Sequence, residues 1–507
     1  MLRPLARANL LLRRDATLGT LLDRLEQVHG DRRLVEEEGG ATRTYAAAAE
    51  LVRRWAGGIA ARTAPGDVVV INTPNGYDML LLCLAAARAG CLPAPVNDRM
   101  RPEEVDHVVA DSAATLVVRS ATEVEGAEAL AEARPADPGD VGALFYTSGT
   151  TGAPKGVELT HRALVSQALT ALAWPNVLRR DEAVVALPVA HIMGFVVLLS
   201  LAAAGVPTYL LPRFHPVKVL DAIESRRATV HIGVPAMYRM LEEAGADERD
   251  LTSVRLWASA ADAMPPDLAE RFKRRGASVT LPLLGSHGQA LFAEAYGMVE
   301  VGGGVAAKLS LPFLSPTAGP LGEGVGLSLL GYALRVVDED GNEVRAGQVG
   351  ELQVRGPGVL KGYRGDDAAT ADVLTDDGWL RTGDLARRGR FGTIVFEGRA
   401  KHVVKRGGYS VYTLEVERCL EQHPAVAEAS VFGLPDERLG EVPVAAVRLR
   451  PGATALPDEL IAHVREHLSD YKVPTQVAIV DELPRTGTSK VQKSGLAELF
   501  DPPAQDR

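Results

Sequence analysis

The sequence predicts an α/β protein with a large N-terminal domain of stacked, mostly parallel sheets with helices, a β-rich subdomain, and a small α+β C-terminal domain. Apolar strand-like runs alternate with alanine-rich helical stretches over most of the chain, which is typical of parallel sheets covered by helices. After about Leu321 the runs become shorter and are separated by turns. The 507 residues also exceed what one ordinary hydrophobic core holds.

The N-terminal elements follow this alternation. DVVVIN at 67–72 predicts a strand, and DMLLLCLAAARAG at 78–90 predicts the helix after it. ATLVV at 114–118 and EAVVALP at 182–188 predict further strands, and ATVHIGV at 228–234 predicts a strand that leads into the helix PAMYRMLEEAG. These runs are short, apolar and rich in β-branched residues, as buried parallel strands are.

The stretch 192–212 carries no charge and is long enough to suggest a membrane span. Gly205 and Pro207 divide it, so we predict an apolar helix at about 195–204 and a short strand at about 208–211. We therefore expect no membrane span. The N-terminus has arginines but no long apolar core, and it is typical of a first helix rather than a signal peptide.

The C-terminal part predicts a change of architecture. The pair Asp340–Gly341 predicts a hairpin inside a β-rich subdomain at about 321–400. The basic, glycine-containing segment GRAKHVVKRGGYS follows, and a mixed α/β stretch continues to near residue 500. We predict an N-terminal domain over 1–400 and a C-terminal domain over 401–507.

Charge and cysteine usage narrow the function classes. The formal charge of −10 argues against general affinity for nucleic acid or anionic membrane. The three cysteines, Cys83, Cys91 and Cys419, lie far apart without CxxC spacing. We therefore expect neither a disulfide framework nor a zinc site, and we predict a cytoplasmic location.

The stretch YTSGTTGAPKG at 146–156 is the first candidate site. We predict it as a loop between the strand GALFY and the helix THRALVSQALTAL, where backbone N–H groups and hydroxyls would face an anion. Lys155 adds a positive charge, and Pro154 stiffens the loop. The Walker spacing is absent. A flexible polar turn is the alternative.

The same stretch resembles the phosphate loop of the adenylate-forming superfamily, which comprises acyl-CoA ligases, nonribosomal adenylation domains and beetle luciferases. Further marks follow in family order over nearly the whole chain: PVAHIMG, AYGMVE, GWLRTGD, GRAKHVVKRGGYSVYTLEVE, DYKVP and PRTGTSKVQK. The resemblance, strongest to acyl-CoA ligases, implies two half-reactions. A carboxylate attacks the α-phosphate of ATP, giving an acyl-adenylate and pyrophosphate, and a thiol, usually of CoA, then displaces AMP.

The resemblance also implies roles for single residues. Glu300 would hold Mg²⁺, Tyr296 would lie against adenine, Asp384 would bind the ribose, and Arg399 would reach the ribose or a phosphate. The residues that would wrap the β- and γ-phosphates are Thr147, Ser148, Gly149, Thr150, Thr151, Gly152 and Lys155.

Further implied roles concern catalysis and domain movement. Lys490 would bridge the carboxylate and the α-phosphate, and His191 would lie in the carboxylate pocket. The C-terminal domain would be mobile about a hinge at Lys401, and rotation would replace the Lys490 face by the face of Gly407 and Gly408. Gly408 would border the CoA channel.

Two positions depart from the family pattern at the adenylating site. The family threonine after Tyr-Gly-Met is Val299, which loses a hydrogen bond to phosphate of about 1.5–3 kcal/mol, or about ten- to a hundred-fold in rate. The family glycine before Lys490 is Ser489, which costs about 1–2 kcal/mol if that position needs positive φ. A third departure, His402 in place of an aspartate, has no interpretation from sequence.

The predicted acyl pocket is apolar and built from small residues in VAHIMGF, SAADA, GSHGQALF and VEVGGGVAAK. The run Gly302–Gly304 would leave room, which predicts a bulky or long hydrophobic acid, although glycine runs also occur in plain loops. The aspartate that amino-acid-activating relatives place near PVAHIMG is absent from the sequence.

The leading interpretation is an acyl-CoA ligase that uses Mg²⁺, ATP and CoA. Its adenylation is either weakened by Val299 and Ser489 or unaffected by them, since the phosphate loop, Glu300, Asp384 and Lys490 are all present. One alternative is a ligase that only thioesterifies an acyl-adenylate supplied by a partner ligase. Another is a ligase that loads an acyl carrier protein, and a third is a non-catalytic acyl- or nucleotide-binding relative.

Overall fold

The computed structural model divides the chain into two compact units. It describes residues 15–147, 154–173, 180–281, 285–313, 324–485, 491–493 and 495–500. The larger unit consists of 1–333 with 354–380, and the smaller unit of 334–353 with 381–507. Of the predicted β-rich stretch, 334–353 and 381–400 thus belong to the smaller unit, and the rest belongs to the larger one. The boundary at residue 400 and the hinge at Lys401 stay predictions.

The helices of the larger unit begin at recognisable signals. They are α1 Leu18–His29, α2 Tyr45–Ala60, α3 Tyr77–Arg88, α4 Pro102–Ser112, α5 His161–Thr170, α6 Ile192–Ala204, α7 Pro216–Arg226, α8 Pro235–Glu243, α9 Pro266–Arg275 and α10 Asp367–Val373. Proline occupies the first turn of α4, α7, α8 and α9, where its missing N–H has no helical partner. Gly205 ends α6 in the left-handed conformation. In the described ranges, every helix is too short or too polar to cross a bilayer.

The main sheet of the larger unit has nine strands in the order β16-β15-β14-β11-β10-β8-β9-β1-β2. The six strands from β14 to β1 are parallel, and antiparallel strands close both edges. The bounds are β1 Arg33–Glu37, β2 Thr42–Thr44, β8 Ala183–Val185, β9 Thr208–Leu210, β10 Val230–Gly233, β11 Leu256–Ala260, β14 Leu291–Met298, β15 Gly303–Ser310 and β16 Leu327–Ser328. The α/β class is confirmed.

Three smaller sheets complete the larger unit. One is parallel, in the order β4-β3-β5, with β3 Val68–Ile71, β4 Leu92–Pro95 and β5 Leu116–Val118. Another is antiparallel, in the order β19-β7-β6, with β6 Val141–Thr147, β7 Lys155–Thr160 and β19 Gly362–Tyr363. The third pairs β12 Val279–Leu281 with β13 Gly285–His287.

The described ends of the phosphate-loop candidate therefore belong to two antiparallel strands, β6 and β7, and the predicted strand–loop–helix order is wrong. Thr147 pairs with Lys155 across these strands, and α5 begins only at His161. The sequence did not indicate strand β7, because KGVELT is short. Its two buried aliphatic residues, Val157 and Leu159, are also compatible with a segment that leads into a helix. Among the described residues, the element that follows the loop in sequence is thus a strand and not a helix.

In the described part of the smaller unit, two sheets are combined with two α-helices. The first sheet is β17-β18-β20-β21, with β17 Ala333–Val337, β18 Val349–Arg355, β20 Leu380–Arg388 and β21 Ile394–Arg399. The second is β23-β22-β25-β24 with β26 beside β25, where β22 is Val404–Arg406, β23 Tyr409–Val411, β24 Val426–Asp436, β25 Gly440–Leu449 and β26 Gln476–Val480. Its helices are α11 Thr413–Glu421 and α12 Pro457–His467. The predicted turn at Asp340–Gly341 is present, and Gly341 has φ 83°.

An aromatic cluster fastens α8 and α9 to the main sheet. Phe272 meets Tyr238 and Trp257 edge-on, at ring-centroid distances of 4.9 and 5.0 Å, and all three are fully buried. Edge-to-face aromatic contacts add to the burial energy itself. The cluster therefore holds the parallel strands whose ends carry the predicted pocket segments.

We expect Phe272→Ala to lower the free energy of unfolding of the larger unit by about 3–5 kcal/mol, because it opens a cavity in this cluster. Urea titration followed by tryptophan fluorescence measures the change. The control Leu330→Ala removes a side chain that is 94% exposed, and it should shift stability by less than about 0.5 kcal/mol. Equal effects of the two substitutions would contradict this account of the core.

Candidate active site

The ends of the predicted phosphate loop are fixed by pairing and by a histidine. Ser148, Gly149, Thr150, Thr151 and Gly152 lie outside the described residues. Thr147 and Lys155 face each other where β6 and β7 meet. The carbonyl oxygen of Pro154 lies 2.9 Å from Nε2 of His107 on α4. The loop thus leaves and re-enters the sheet at adjacent, anchored positions.

Lys155 has an acidic partner in Asp366. Its Nζ lies 3.0 Å from Oδ2 of Asp366, and both side chains are 40% exposed. A hydrogen bond from the Ala369 backbone N–H and then the Lys155 charge lower the pKa of Asp366, so the carboxylate is charged at neutral pH. Solvent screens such an exposed pair. Lys155 can therefore exchange this carboxylate for a phosphate at little cost.

Glu300 is held by Tyr363. The Tyr363 hydroxyl donates to Oε1 of Glu300 at 3.1 Å, and Nζ of Lys155 lies 5.5 Å from the centroid of the Tyr363 ring. Burial and then the Glu300 charge raise the pKa of Tyr363, so its hydroxyl stays protonated and remains a donor. One tyrosine thus connects the predicted metal carboxylate with the predicted phosphate-binding lysine.

Three backbone hydrogen bonds fix Tyr363 in this place. Leu360 N–H donates to the Glu300 carbonyl at 2.8 Å, and Lys361 N–H donates to the Glu158 carbonyl at 2.9 Å. Arg364 N–H donates to the Gly156 carbonyl at 2.8 Å. The sequence did not identify Tyr363, because a two-residue strand such as β19 has no periodic pattern.

The donor set around Glu300 fits a hard divalent cation. Mg²⁺ prefers oxygen ligands and commonly takes one or two carboxylates together with substrate phosphates. Glu300 supplies a carboxylate that is already oriented by the Tyr363 hydroxyl, and Lys155, whose Nζ lies over the ring of the same tyrosine, supplies positive charge for phosphate.

The strand end that carries Tyr296 is a tight glycine turn. A Cβ on Gly297 would lie 1.8 Å from the Gly303 carbonyl oxygen, so this bulged position needs glycine. Gly302 and Gly303 have φ of 65° and 130°, which other residues rarely adopt. Val299 is the first residue of one turn of 3₁₀ helix, Val299–Val301. Its carbonyl oxygen accepts a hydrogen bond from Gly302 N–H at 2.9 Å.

Gln167 of α5 occupies the space beside this turn. Its Oε1 accepts from Gly304 N–H at 3.1 Å, and its Nε2 donates to the Tyr332 hydroxyl at 3.1 Å. A Cβ on Gly303 would lie 2.5 Å from that Oε1. The expectation that Gly302–Gly304 leave room for a substrate is therefore corrected at Gly303, because backbone conformation and the Gln167 amide account for the glycine.

His191 caps helix α6. Its Nδ1 accepts from Met193 N–H at 3.2 Å, so a neutral ring carries its proton on Nε2 and can donate to a carboxylate. Asn75 fixes the preceding loop, since its Oδ1 accepts from Val189 N–H and its Nδ2 donates to the Pro212 carbonyl, both at 2.7 Å. The sequence did not identify Asn75 as the residue that positions this loop.

In the smaller unit, Asp384 and Arg399 form an ion pair across β20 and β21. Nε of Arg399 lies 3.2 Å from Oδ1 of Asp384, whose side chain is only 4% exposed. Asp384 N–H donates to Oγ1 of Thr382 at 3.1 Å, and that hydroxyl donates to the Leu352 carbonyl at 2.6 Å. The two residues predicted to bind ribose or phosphate are thus neighbours.

The hinge candidate lies among cations. Burial and then the Arg399 charge lower the pKa of Lys401. Burial, followed by the charges of Lys493, Lys401 and Arg399, lowers the pKa of His402 to about 4. His402 is therefore uncharged at neutral pH, where the family aspartate would be negative.

Gly407 and Gly408 form the two-residue turn between β22 and β23. Arg406 and Tyr409 pair across it, and the two glycines have φ of 55° and 85°, as a type I′ turn requires. A Cβ on Gly408 would have no atom within 4 Å. Turn geometry alone explains both glycines, and the CoA-channel role stays a prediction. Lys490 and Ser489 lie outside the described residues.

Comparison with known proteins bears on nearly the whole chain. The AMP-binding enzyme family matches residues 22–364, and the AMP-binding enzyme C-terminal domain matches residues 415–490. Feruloyl-CoA synthase from an Amycolatopsis species is 34% identical over 488 residues, covering 91% of this chain and 95% of that protein. A Mycobacterium tuberculosis CoA ligase for a propanoyl group that carries a methyl-dioxo-octahydroindenyl ring is 32% identical over 533 residues, with 95% and 99% covered. Oxalate–CoA ligase from Arabidopsis thaliana is 30% identical over 524 residues, with 96% and 98% covered.

Solved structures agree with this likeness. ATP-bound MatB from Rhodopseudomonas palustris superposes with a TM-score of 0.83 at 29% identity, covering 95% of this chain and 98% of that one. O-succinylbenzoate coenzyme A synthetase from Bacillus subtilis, in complex with ATP and a magnesium ion, gives a TM-score of 0.78 at 25% identity, with 93% and 98% covered.

We expect Tyr363→Phe to raise the Mg²⁺ concentration needed for half-maximal ATP binding by about ten- to a hundred-fold, because a hydrogen bond to a charged group contributes about 1.5–3 kcal/mol. Mg²⁺ titrations of ATP binding by calorimetry measure the shift. Tyr209→Phe is the matched control, since the Tyr209 ring lies against Arg226 instead. An unchanged Mg²⁺ requirement in Tyr363→Phe would contradict the orienting role.

Proposed function

This chain belongs to the family of AMP-binding enzymes and is an AMP-forming acid–thiol ligase, and from this premise we propose that it joins a bulky or long hydrophobic carboxylic acid to CoA in two steps. In the first, a carboxylate oxygen bonds to the α-phosphorus of ATP and pyrophosphate leaves. In the second, the CoA sulfur bonds to the acyl carbon, and AMP leaves with the electron pair of the acyl–oxygen bond.

The observation that carries this proposal is the connected group of Lys155, Tyr363 and Glu300. Phosphoryl transfer depends on positioning and charge neutralisation more than on acid–base chemistry. A lysine whose acidic partner is exchangeable and a carboxylate oriented by a hydroxyl supply both requirements. This arrangement supports an active adenylating half and argues against a non-catalytic relative.

The other residues have proposed positions in the same reaction. His191 donates its Nε2 proton to the substrate carboxylate and orients it, and Tyr296 lies against adenine. Asp384 accepts hydrogen bonds from the ribose, Arg399 neutralises Asp384 and reaches the ribose or a phosphate, and Lys490 bridges the attacking carboxylate and the α-phosphate. Mg²⁺ held by Glu300 supplies positive charge to the pyrophosphate leaving group.

Val299 slows the first step in this proposal, because a valine cannot donate a hydrogen bond to the α-phosphate. The second step does not depend on Val299 or Ser489. If the loss of adenylation were complete, the chain would only thioesterify an acyl-adenylate that a partner ligase supplies. This is the alternative function. Loading of an acyl carrier protein differs from both functions in the thiol that accepts the acyl group.

The acyl class rests on the apolar character of the predicted pocket segments. On β11, Ala258 and Ala260 share one half-buried face. Feruloyl-CoA synthase and the Mycobacterium ligase are named for bulky acids, whereas the Arabidopsis ligase is named for oxalate, so the family alone does not decide the acid. Three free, buried cysteines are compatible with a cytoplasmic location.

We expect thioester from hydrophobic acids with ATP, Mg²⁺ and CoA, and faster thioester formation from preformed acyl-adenylate and CoA. Val299→Thr should raise the ATP-dependent rate by about ten- to a hundred-fold and leave the adenylate-dependent rate unchanged. Quenched-flow chromatography of the thioester measures both rates. Val217→Thr, a matched change on α7, should alter neither.

Product from the adenylate alone would establish the thioester-only alternative. Product with a carrier protein but not with CoA would establish the carrier-protein alternative. An unchanged ATP-dependent rate in Val299→Thr would contradict the slowed first step.

We expect Gly408→Leu to lower thioester formation by at least about ten-fold while acid-dependent pyrophosphate release continues, because a side chain there would obstruct the proposed thiol channel. A coupled pyrophosphate assay and thioester chromatography measure the two steps. Gly452→Leu is the matched control, since Gly452 also has positive φ, 75°, and open space at its Cβ. Equal loss of both steps in Gly408→Leu, or an equal effect in Gly452→Leu, would contradict the channel assignment.

A further inference from the structure

Three soft or borderline metal ligands meet between the two helices of the smaller unit. Cys419 lies on α11, and His463 and His467 lie on α12. One ligand atom from each residue lies within 4.8 Å of the other two. The two histidines are one helical turn apart and share a face, with ring centroids 4.4 Å apart. Tetrahedral coordination places ligand atoms about 3–4 Å apart, so binding would draw the three side chains closer together.

Both imidazoles already have the hydrogen bonds that metal-bound histidines commonly make. Nε2 of His463 lies 3.0 Å from the Cys419 carbonyl oxygen, and Nδ1 of His467 lies 2.7 Å from the His463 carbonyl oxygen. A carbonyl only accepts, so each ring donates its N–H there, and the neutral ring keeps a lone pair on its other nitrogen. Such an outer hydrogen bond fixes the tautomer and orientation of a ligating histidine.

We propose that Cys419, His463 and His467 form a binding site for Zn²⁺, distinct from the Mg²⁺ position at Glu300. One thiolate and two imidazoles suit zinc, whereas Mg²⁺ requires oxygen ligands. Binding releases the Cys419 thiol proton to solvent and forms one Zn–S and two Zn–N bonds. A water molecule fills the fourth position.

His423 lies beside this cluster and is assigned outside it. Its ring centroid is 5.2 Å from that of His463, and its Nδ1 accepts from Ala425 N–H at 3.3 Å. The neutral His423 ring therefore carries its proton on Nε2 and offers no lone pair in this arrangement. Substitution of His423 therefore tests whether the site has three protein ligands or four.

The site would connect α11 to α12, which are joined in sequence only through the β24–β25 hairpin. Binding to the folded state alone stabilises it by mass action. The spacing of the cysteines predicted no zinc site, because the absence of CxxC spacing excludes only sites built on paired cysteines. Here the donors are one cysteine and two histidines about 44 residues away, and only the fold brings them together.

The test uses the whole 507-residue chain and Zn²⁺ alone. We expect one Zn²⁺ per chain by competition with a chromogenic chelator, undisturbed by millimolar Mg²⁺, and a rise in the melting temperature. Co²⁺ in its place should give the near-ultraviolet charge-transfer band of a thiolate ligand and the visible bands of four-coordinate cobalt. His467→Ala alters an exposed side chain, so it should fold, and it should weaken Zn²⁺ binding by at least about a hundred-fold.

Three further variants complete the test. Cys419→Ser keeps the side-chain shape and should abolish the cobalt charge-transfer band. His215→Ala, an exposed histidine on another part of the chain, and His423→Ala should both bind Zn²⁺ as the unaltered protein does. Absence of stoichiometric Zn²⁺ binding, normal affinity in His467→Ala, or loss of binding in His423→Ala would overturn the three-ligand assignment.

Discussion

The short strand β19 is the constraint on which the phosphate end of the site depends. It lies against β7, and its flanking backbone groups bond to the carbonyls of Gly156, Glu158 and Glu300. These bonds bring strand β7 and a 3₁₀ turn, which are far apart in sequence, to one tyrosine. Without them, Tyr363 could not contact both Glu300 and Lys155, and the predicted metal and phosphate residues would lack a common support.

The exposed ion pair beside β19 contributes little to stability, and its lysine can exchange one anionic partner for another. Lys155 pairs with Asp366 at the surface, where the attraction is screened and a phosphate can replace the carboxylate. Asp384, by contrast, is buried and is compensated by Arg399, so removal of the arginine would leave a buried charge uncompensated. Two glycines are constrained by the backbone, since a side chain at 297 would collide with the Gly303 carbonyl oxygen and Gly303 itself has φ of 130°.

The sequence correctly predicted the features that hydrophobic periodicity and short motifs indicate. The strands near 67–72, 182–188 and 228–234 and the break at Gly205 are confirmed, because apolar runs and glycine report local conformation. Strand β7, Tyr363 and Gln167 were missed, since their roles arise from contacts between segments far apart in the chain. The same reason hid the meeting of Cys419 with His463. The family resemblance supplied the site residues, but a resemblance cannot report that Gln167 occupies the space beside Gly303.

If the Lys155–Tyr363–Glu300 group supports adenylation despite Val299, the protein should form acyl-adenylate from ATP reversibly. Exchange of labelled pyrophosphate into ATP by the unaltered protein, with a panel of hydrophobic acids and no CoA, measures this step. We expect exchange that requires both acid and Mg²⁺. No exchange with any acid, in protein that still forms thioester from an acyl-adenylate, would contradict it.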